Sequence, residues 1–213
     1  MIIATLNLQY DSPHPSKNLL NIQKISNTYA VDFYLFQEAT IYNNIIPILH
    51  NYKHVLHQSG REHQITFYSK KYRLLNIILS EFERGRPCIC LLFQSKTSNE
   101  LYIIINVHAG HHSNYKNHIF EPLQKIINKW NIHVKNIIIG GDFNVYVKKY
   151  NFYYKGITYQ LSNKGFMKTC CKNNDYKYNF DYILTNMNFI KKTIVFDKGG
   201  SDHRLVLTEI EKN

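Results

Sequence analysis

Ile137-Ile138-Ile139-Gly140-Gly141-Asp142-Phe143-Asn144 is the stretch whose reading decides the fold. Three consecutive isoleucines suit a buried strand, and the run is too short for a helix of ordinary length. The two glycines after it allow a sharp turn and a close approach of the backbone to a ligand. Asp142 and Asn144 then offer a carboxylate and a carboxamide. If the extended form continues, both face one way, because strand side chains repeat every second residue. That places an acceptor beside a neutral hydrogen-bonding group at the carboxyl end of a core strand, where open α/β sheets commonly do chemistry. Taken alone, aspartate-x-asparagine after glycine is more often a turn cap.

Similar strand ends occur along the whole chain. Met1-Ile2-Ile3-Ala4-Thr5-Leu6 runs into Asn7-Leu8-Gln9, and Phe33-Tyr34-Leu35-Phe36 into Gln37-Glu38. Leu101-Tyr102-Ile103-Ile104-Ile105-Asn106-Val107 runs into His108. Phe180-Asp181-Tyr182-Ile183-Leu184 and Ser201-Asp202-His203-Arg204-Leu205-Val206-Leu207 each set an acid beside a strand-like segment. One such edge is noise, but six in a fixed order are a pattern.

In that order the pieces Thr5-Leu6-Asn7-Leu8-Gln9, Phe36-Gln37-Glu38, Asn106-Val107-His108, Gly141-Asp142-Phe143-Asn144, Asp181-Tyr182-Ile183-Leu184 and Ser201-Asp202-His203 carry a resemblance. From Asn7 to His203 the chain resembles the endonuclease/exonuclease/phosphatase superfamily of metal-dependent phosphoesterases. The resemblance implies an α/β, DNase I-like sandwich of two mixed β-sheets packed face to face, with helices on the outer sides. It implies one catalytic domain over residues 1–213. It also implies Mg2+, with Mn2+ as a substitute, held by Glu38, the amide oxygen of Asn7 and Asp202. Asp142 would orient and deprotonate the attacking water, and Asn144 would position that water or the phosphate. His203 would contact the phosphate while Asp181 fixes its tautomer, and His108 would be a phosphate ligand or an acid near the leaving group. Without the resemblance, Glu38 reads as a surface acid and the Asp181–His203 pair as a structural hydrogen bond.

Some positions depart from relatives. Gln9 stands where some DNA-repair members carry an acid, which weakens the case for a second metal ligand there. His111 and His112 are unusual; His111 is read as a substrate contact, with helix capping as the alternative. Phe180 replaces a smaller aliphatic residue and bears on packing. Arg61, Arg84 and Arg86 are candidate phosphate contacts, with Arg61 and Arg86 the chosen substrate-binding pair, although a single surface arginine is the commoner case.

Composition narrows the partners. At 213 residues with 44% hydrophobic content, the chain is large enough for one substantial core. No apolar run reaches the ~18 residues of a membrane span, and no secretory leader is evident, so an intracellular protein is expected. A net charge of +11 favours polyanions, nucleic acid among them, although abundant Asn, Lys, Ile and Tyr also point to AT-rich coding. The segment Tyr146, Lys148, Lys149, Tyr150, Phe152, Tyr153, Tyr154, Lys155 interleaves cations with rings, as a nucleic-acid-binding loop does, or else it is a solvated surface loop. Cys88, Cys90, Cys170 and Cys171 lack the usual zinc spacing and are expected as buried reduced thiols.

Helices are expected from Ser16, as a cap, to about Tyr29, over Ile41–His50 with a break at Pro47, and over Tyr115–Trp130. Strands are expected around Lys53–Leu56, Gln64–Tyr68, Leu74–Leu79 and Cys88–Phe93, with turns at Gly60-Arg61-Glu62 and Arg84-Gly85-Arg86-Pro87. The activity expected is magnesium-dependent hydrolysis of nucleic-acid phosphodiesters, DNA before RNA, with no obligatory protein partner. The alternatives are a phosphatase or phosphodiesterase on a small molecule, a lipid headgroup or a tyrosyl-DNA phosphoester, and a noncatalytic binding module.

Overall fold

A computed structural model describes residues 1–83, 85–110, 121–129, 134, 136–145, 151–154, 157–161, 168–171, 178–187, 189–196 and 199–211. In chain order the elements are β1 (Ile2–Asn7), α1 (Pro15–Thr28), β2 (Phe33–Gln37), α2 (Tyr42–Ile48), β3 (Lys53–Ser59), β4 (Glu62–Tyr68), β5 (Tyr72–Glu83) and β6 (Arg86–Ser95). There follow β7 (Leu101–His108), α3 (Glu121–Asn128), β8 (Asn136–Asp142), β9 (Asn151–Tyr154), β10 (Ile157–Leu161), β11 (Asp181–Thr185), β12 (Phe189–Val195) and β13 (Val206–Glu211). One sheet has the order β12-β13-β1-β2-β4-β3 and the other β5-β6-β7-β8-β11-β10-β9. Both are mixed: β1 pairs with β2 and β7 with β8 in parallel, and the remaining pairings are antiparallel.

The uninterrupted apolar runs are strands covered on both faces. Ile3, Phe33 and Leu35 of the first sheet meet Ile89, Leu91, Ile104, Ile138 and Ile183 of the second in the core between sheets. Their strand neighbours Ala4, Tyr34 and Phe36 point outward, onto Ile22 and Ile25 of α1 and Ile45 of α2. On the far side Ile103, Ile105, Ile137 and Ile139 pack on Leu123 and Ile126 of α3. This is the DNase I-like layering of two sheets between outer helices. None of the described helices is long and apolar enough to cross a membrane.

Local differences from the sequence reading have simple causes. Helix α1 begins at Pro15, whose fixed φ suits a first helical position, so Ser16 lies inside the helix and caps nothing. Helix α2 ends one residue after Pro47. Gly140 and Gly141 do not turn; both lie within β8, between β7 and β11. Part of the basic aromatic stretch is strand β9, and residues 146–150 and 155 lie outside the described residues, as do Arg84, His111, His112 and Trp130.

Cys88 and Cys90 are free and buried on β6, as expected. Cys170 and Cys171 are instead joined by a disulfide. Neighbours in extended chain would point apart, but Cys171 has φ 68, which breaks that alternation. Burial pushes the Cys88 thiol well above its ordinary range, and burial with Cys88 alongside does the same to Cys90. Since the thiolate is the reactive form, the unreduced native protein is expected to show no fast-reacting thiol and to expose two on denaturation. Labelling by a thiol reagent with and without denaturant checks this, and rapid native labelling of two sulfurs would contradict the burial of β6.

Candidate active site

Topology gathers the polar strand ends on one edge of the sandwich. Asn7 ends β1, and Glu38 follows β2, which runs parallel to it with Asn7 opposite Gln37. In the other sheet the parallel pair β7 and β8 ends with His108 opposite Asp142. The antiparallel β11 begins where β8 stops, placing Asp181 opposite Asp142. Likewise β13 is antiparallel to β1, so Ser201, Asp202 and His203, just before it, arrive at the same edge.

Asp142 Oδ2 is the focus. Asn7 Nδ2 donates to it at 3.0 Å and Asn144 Nδ2 at 3.3 Å. His108 Nε2 stands 3.6 Å away and His203 Nε2 3.7 Å away. The other oxygen, Oδ1, accepts the Asn144 backbone N–H at 2.9 Å. Glu38 Oε1 accepts from Asn7 Nδ2 at 2.9 Å and lies 3.6 Å from His108 Nε2, while Glu38 Oε2 accepts the Tyr10 N–H at 2.7 Å. Asn7, Glu38, His108, Asp142, Asn144, Asp181, Asp202 and His203 thus form one connected group. One detail differs from the expectation for Asn7: its amide nitrogen faces the carboxylates, because its oxygen accepts the Gln9 N–H at 2.9 Å.

His203 Nδ1 lies 3.1 and 2.9 Å from the two Asp181 oxygens. Burial alone would lower the imidazolium pKa, but Asp181, Asp142 and Asp202 outweigh it and push His203 up to about 10. Burial lifts the Asp181 carboxyl to about 6 against the lowering pull of His203, with Asp142 adding to the rise. Such a pair holds a charged ring with Nδ1–H engaged and Nε2–H aimed at the centre. Asp202, with 42% of its side chain exposed, sits 3.8 Å from His203 Nε2. Burial raises its carboxyl, His203 opposes this, and Glu38 and Asp142 raise it further.

Several participants were not legible as such. Glu62, read as a turn residue, opens β4 and brings Oε2 to 2.7 Å from His108 Nδ1. Arg86, a predicted substrate contact, opens β6; its Nη1 bonds Glu62 Oε1 at 2.9 Å and touches both ring nitrogens of His108. Gln9 Oε1 accepts the Asp202 N–H at 2.9 Å, so the neutral residue braces the acid's backbone. Buried Asn18 of α1 accepts the N–H groups of Gly200 and Ser201 at 2.8 and 3.0 Å. Its place on the Ile22/Ile25 face, where an apolar residue is due, was the available signal. Arg61 is exposed in the β3–β4 turn and has no hydrogen bond or ion pair to these side chains among the described residues.

Under the site, Gln37 Nε2 of the first sheet donates to Asn106 Oδ1 of the second at 2.7 Å. Asn106 Nδ2 returns bonds to the Phe36 and Ile65 carbonyls at 3.2 and 3.1 Å. Of five non-glycine residues with positive φ among those described, Gln9, Glu38, Asn144 and Cys171 belong to this edge. Left-handed backbone costs on the order of 1–3 kcal/mol per residue and persists where surroundings over-determine it, which sets this edge apart from the rest of the described backbone.

No family model matches the sequence. Uncharacterized protein L684 of Acanthamoeba polyphaga mimivirus is 29% identical over 222 residues; the match takes in 92% of this chain and 44% of that protein, so the chain spans less than half the relative's length. Among solved structures, an endonuclease/exonuclease/phosphatase from Bacteroides vulgatus superposes with a TM-score of 0.77 at 18% identity, over 99% of this chain and 98% of its own. The mannosyl-6-phosphatase Bt3783 of Bacteroides thetaiotaomicron superposes with a TM-score of 0.76 at 15% identity, over 99% of both chains. The chain has the DNase I-like fold of the endonuclease/exonuclease/phosphatase superfamily.

Proposed function

We propose that the chain is a metal-dependent phosphoester hydrolase whose substrates are nucleic-acid phosphodiesters, DNA before RNA. The observation that carries this reading is the convergence on Asp142 Oδ2 of two carboxamide nitrogens and two histidine Nε2 atoms. A net charge of +11 favours a polyanionic substrate.

The donor set fits a hard cation. Glu38, Asp142 and Asp202 offer oxygen only, and the Asp202 carboxyl, raised first by burial, is raised further by the negative charge of Glu38 and Asp142. Glu38 and Asp202 would hold Mg2+ or Mn2+, with Asn7 joining if its amide turns its oxygen inward. When bound, the ion supplies charge neutralisation at the phosphate and the departing oxygen.

The chain's own residues divide the remaining work. Asp142 takes a proton from a water placed beside Oδ2, with Asn7 and Asn144 fixing the carboxylate by their N–H groups. His203, charged through Asp181, donates Nε2–H to a phosphate oxygen. His108, tethered at Nδ1 by Glu62, turns Nε2 to the same space to meet the phosphate or the leaving oxygen.

The test is a panel of single-stranded, duplex and abasic DNA, RNA, tyrosyl-DNA, sugar phosphate and phospholipid headgroup substrates, each with and without Mg2+. Hydrolysis of a nucleic acid is expected, weakening with salt, and Glu38→Ala should lower it by about 100-fold or more. Turnover confined to sugar or lipid phosphates would move the site to the phosphatase reading. An inert panel would leave a binding module.

A further inference from the structure

The disulfide Cys170–Cys171 lies directly against the catalytic edge. Cys170 is fully buried and pairs as an isolated bridge both with Tyr178 and with His203. Its sulfur is 3.3 Å from His203 Nε2, the nitrogen that faces Asp142. Cys171 is pinned to the same loop by its N–H, which donates to the Asp202 carbonyl at 2.9 Å. The two sulfurs and His203 Nε2 all fall within 4.8 Å of one another.

We propose that, once reduced, Cys170, Cys171 and His203 form a site for a thiophilic divalent cation such as Zn2+, and that the disulfide closes it. Three features agree with this donor set. Two thiolates and an imidazole are a zinc-type combination, unlike the all-oxygen group of Glu38 and Asp202. Ligand atoms around tetrahedral zinc lie about 3.5 Å apart for a sulfur and a nitrogen, close to the observed approach. The ring's other nitrogen is already held by Asp181, the carboxylate–histidine arrangement that orients metal-binding imidazoles. Spacing in the chain hid the site, because the third ligand lies more than thirty positions further along and the fold brings it in.

The chemistry balances simply. A dithiol reductant gives two electrons and two protons to the Cys170–Cys171 bond and leaves as its own disulfide. Zinc uptake then releases one proton from each thiol and one from Nε2, with Nδ1–H still held by Asp181. His203 Nε2 so engaged can no longer donate to a phosphate. Thiol state and zinc together would therefore switch the hydrolase off, a consequence that rests on the proposed activity; the site itself does not.

The experiment measures Zn2+ binding by the apo protein against a chromophoric chelator, with the pair reduced by a phosphine or left oxidised. One Zn2+ per reduced chain is expected. Oxidation, or Cys171→Ser, should weaken binding by more than about 100-fold, since even supporting partners of metal ligands are worth 10–100-fold. Co2+ in place of zinc should give a thiolate charge-transfer band only in the reduced wild type, and Glu38→Ala should keep both signals. Equal zinc affinity in the two redox states, or loss of tight zinc in Glu38→Ala, would overturn the proposal. Zinc inhibition of Mg2+-supported hydrolysis in reduced but not oxidised protein is then a separate readout, so a failed substrate panel leaves the binding result standing.

Discussion

Asp142→Asn is expected to lower kcat/KM on the best panel substrate by about 10²–10⁴-fold, the range a positioned proton acceptor contributes, while nucleic-acid binding stays near wild type. The side chain keeps its shape, and one oxygen can still accept the Asn144 backbone N–H. What disappears is the second acceptor. Asn7 Nδ2 and Asn144 Nδ2 would then point at an NH2 group, a donor facing donors. That mismatch should cost about 1–3 kcal/mol of stability, so melting curves must accompany the kinetics. A variant that is folded, binds substrate and turns it over at the wild-type rate would remove Asp142 from the role of base.

Gly141→Ala is expected to have the largest effect on folding. Gly141 has φ +146, and a Cβ there would sit 2.0 Å from the Val107 carbonyl oxygen and 2.9 Å from its carbon. Val107 pairs with Gly141 in the parallel β7–β8 ladder, so the obstacle is backbone that cannot retreat without breaking the centre of the sheet. Overpacking and a disfavoured φ together should cost on the order of 4 kcal/mol, a large part of a typical domain's stability. Gly60→Ala is the control: its φ is +58, yet nothing lies within 4 Å of the added methyl. It should cost about 1 kcal/mol. Urea unfolding of both variants checks the difference, and equal losses would mean that φ rather than the contact dominates.

These glycines show how the sequence succeeds and fails. The isoleucine run announced a strand covered on both faces, and the polar residue ending each strand marked the edge where the candidate site gathers. Gly140-Gly141 looks like a turn because turns and close strand contacts both need a missing side chain. Asp142 and Asn144 do meet, but not by strand alternation. The strand stops at Asp142, and Asn144 turns back through φ 51 to bond it. Glu62 was hidden, and Arg86 was marked as a substrate contact but not as a partner of His108, for another reason. Each sits in a short polar stretch that reads as an exposed turn, and only the pairing of the sheets reveals that both open strands under His108. Cys170 and His203 lie far apart in the chain, and no local pattern joins them.

The Gln37–Asn106 bond ties the two sheets directly below the proposed reacting groups, and those groups are themselves divided between the sheets: Asn7 and Glu38 from one, His108, Asp142 and Asp181 from the other. No separate lobe can open and leave the centre intact. Under rising urea, hydrolysis and tertiary fluorescence should therefore vanish at a shared midpoint, and inactivation well before unfolding would mean the two halves slide past one another while each stays folded.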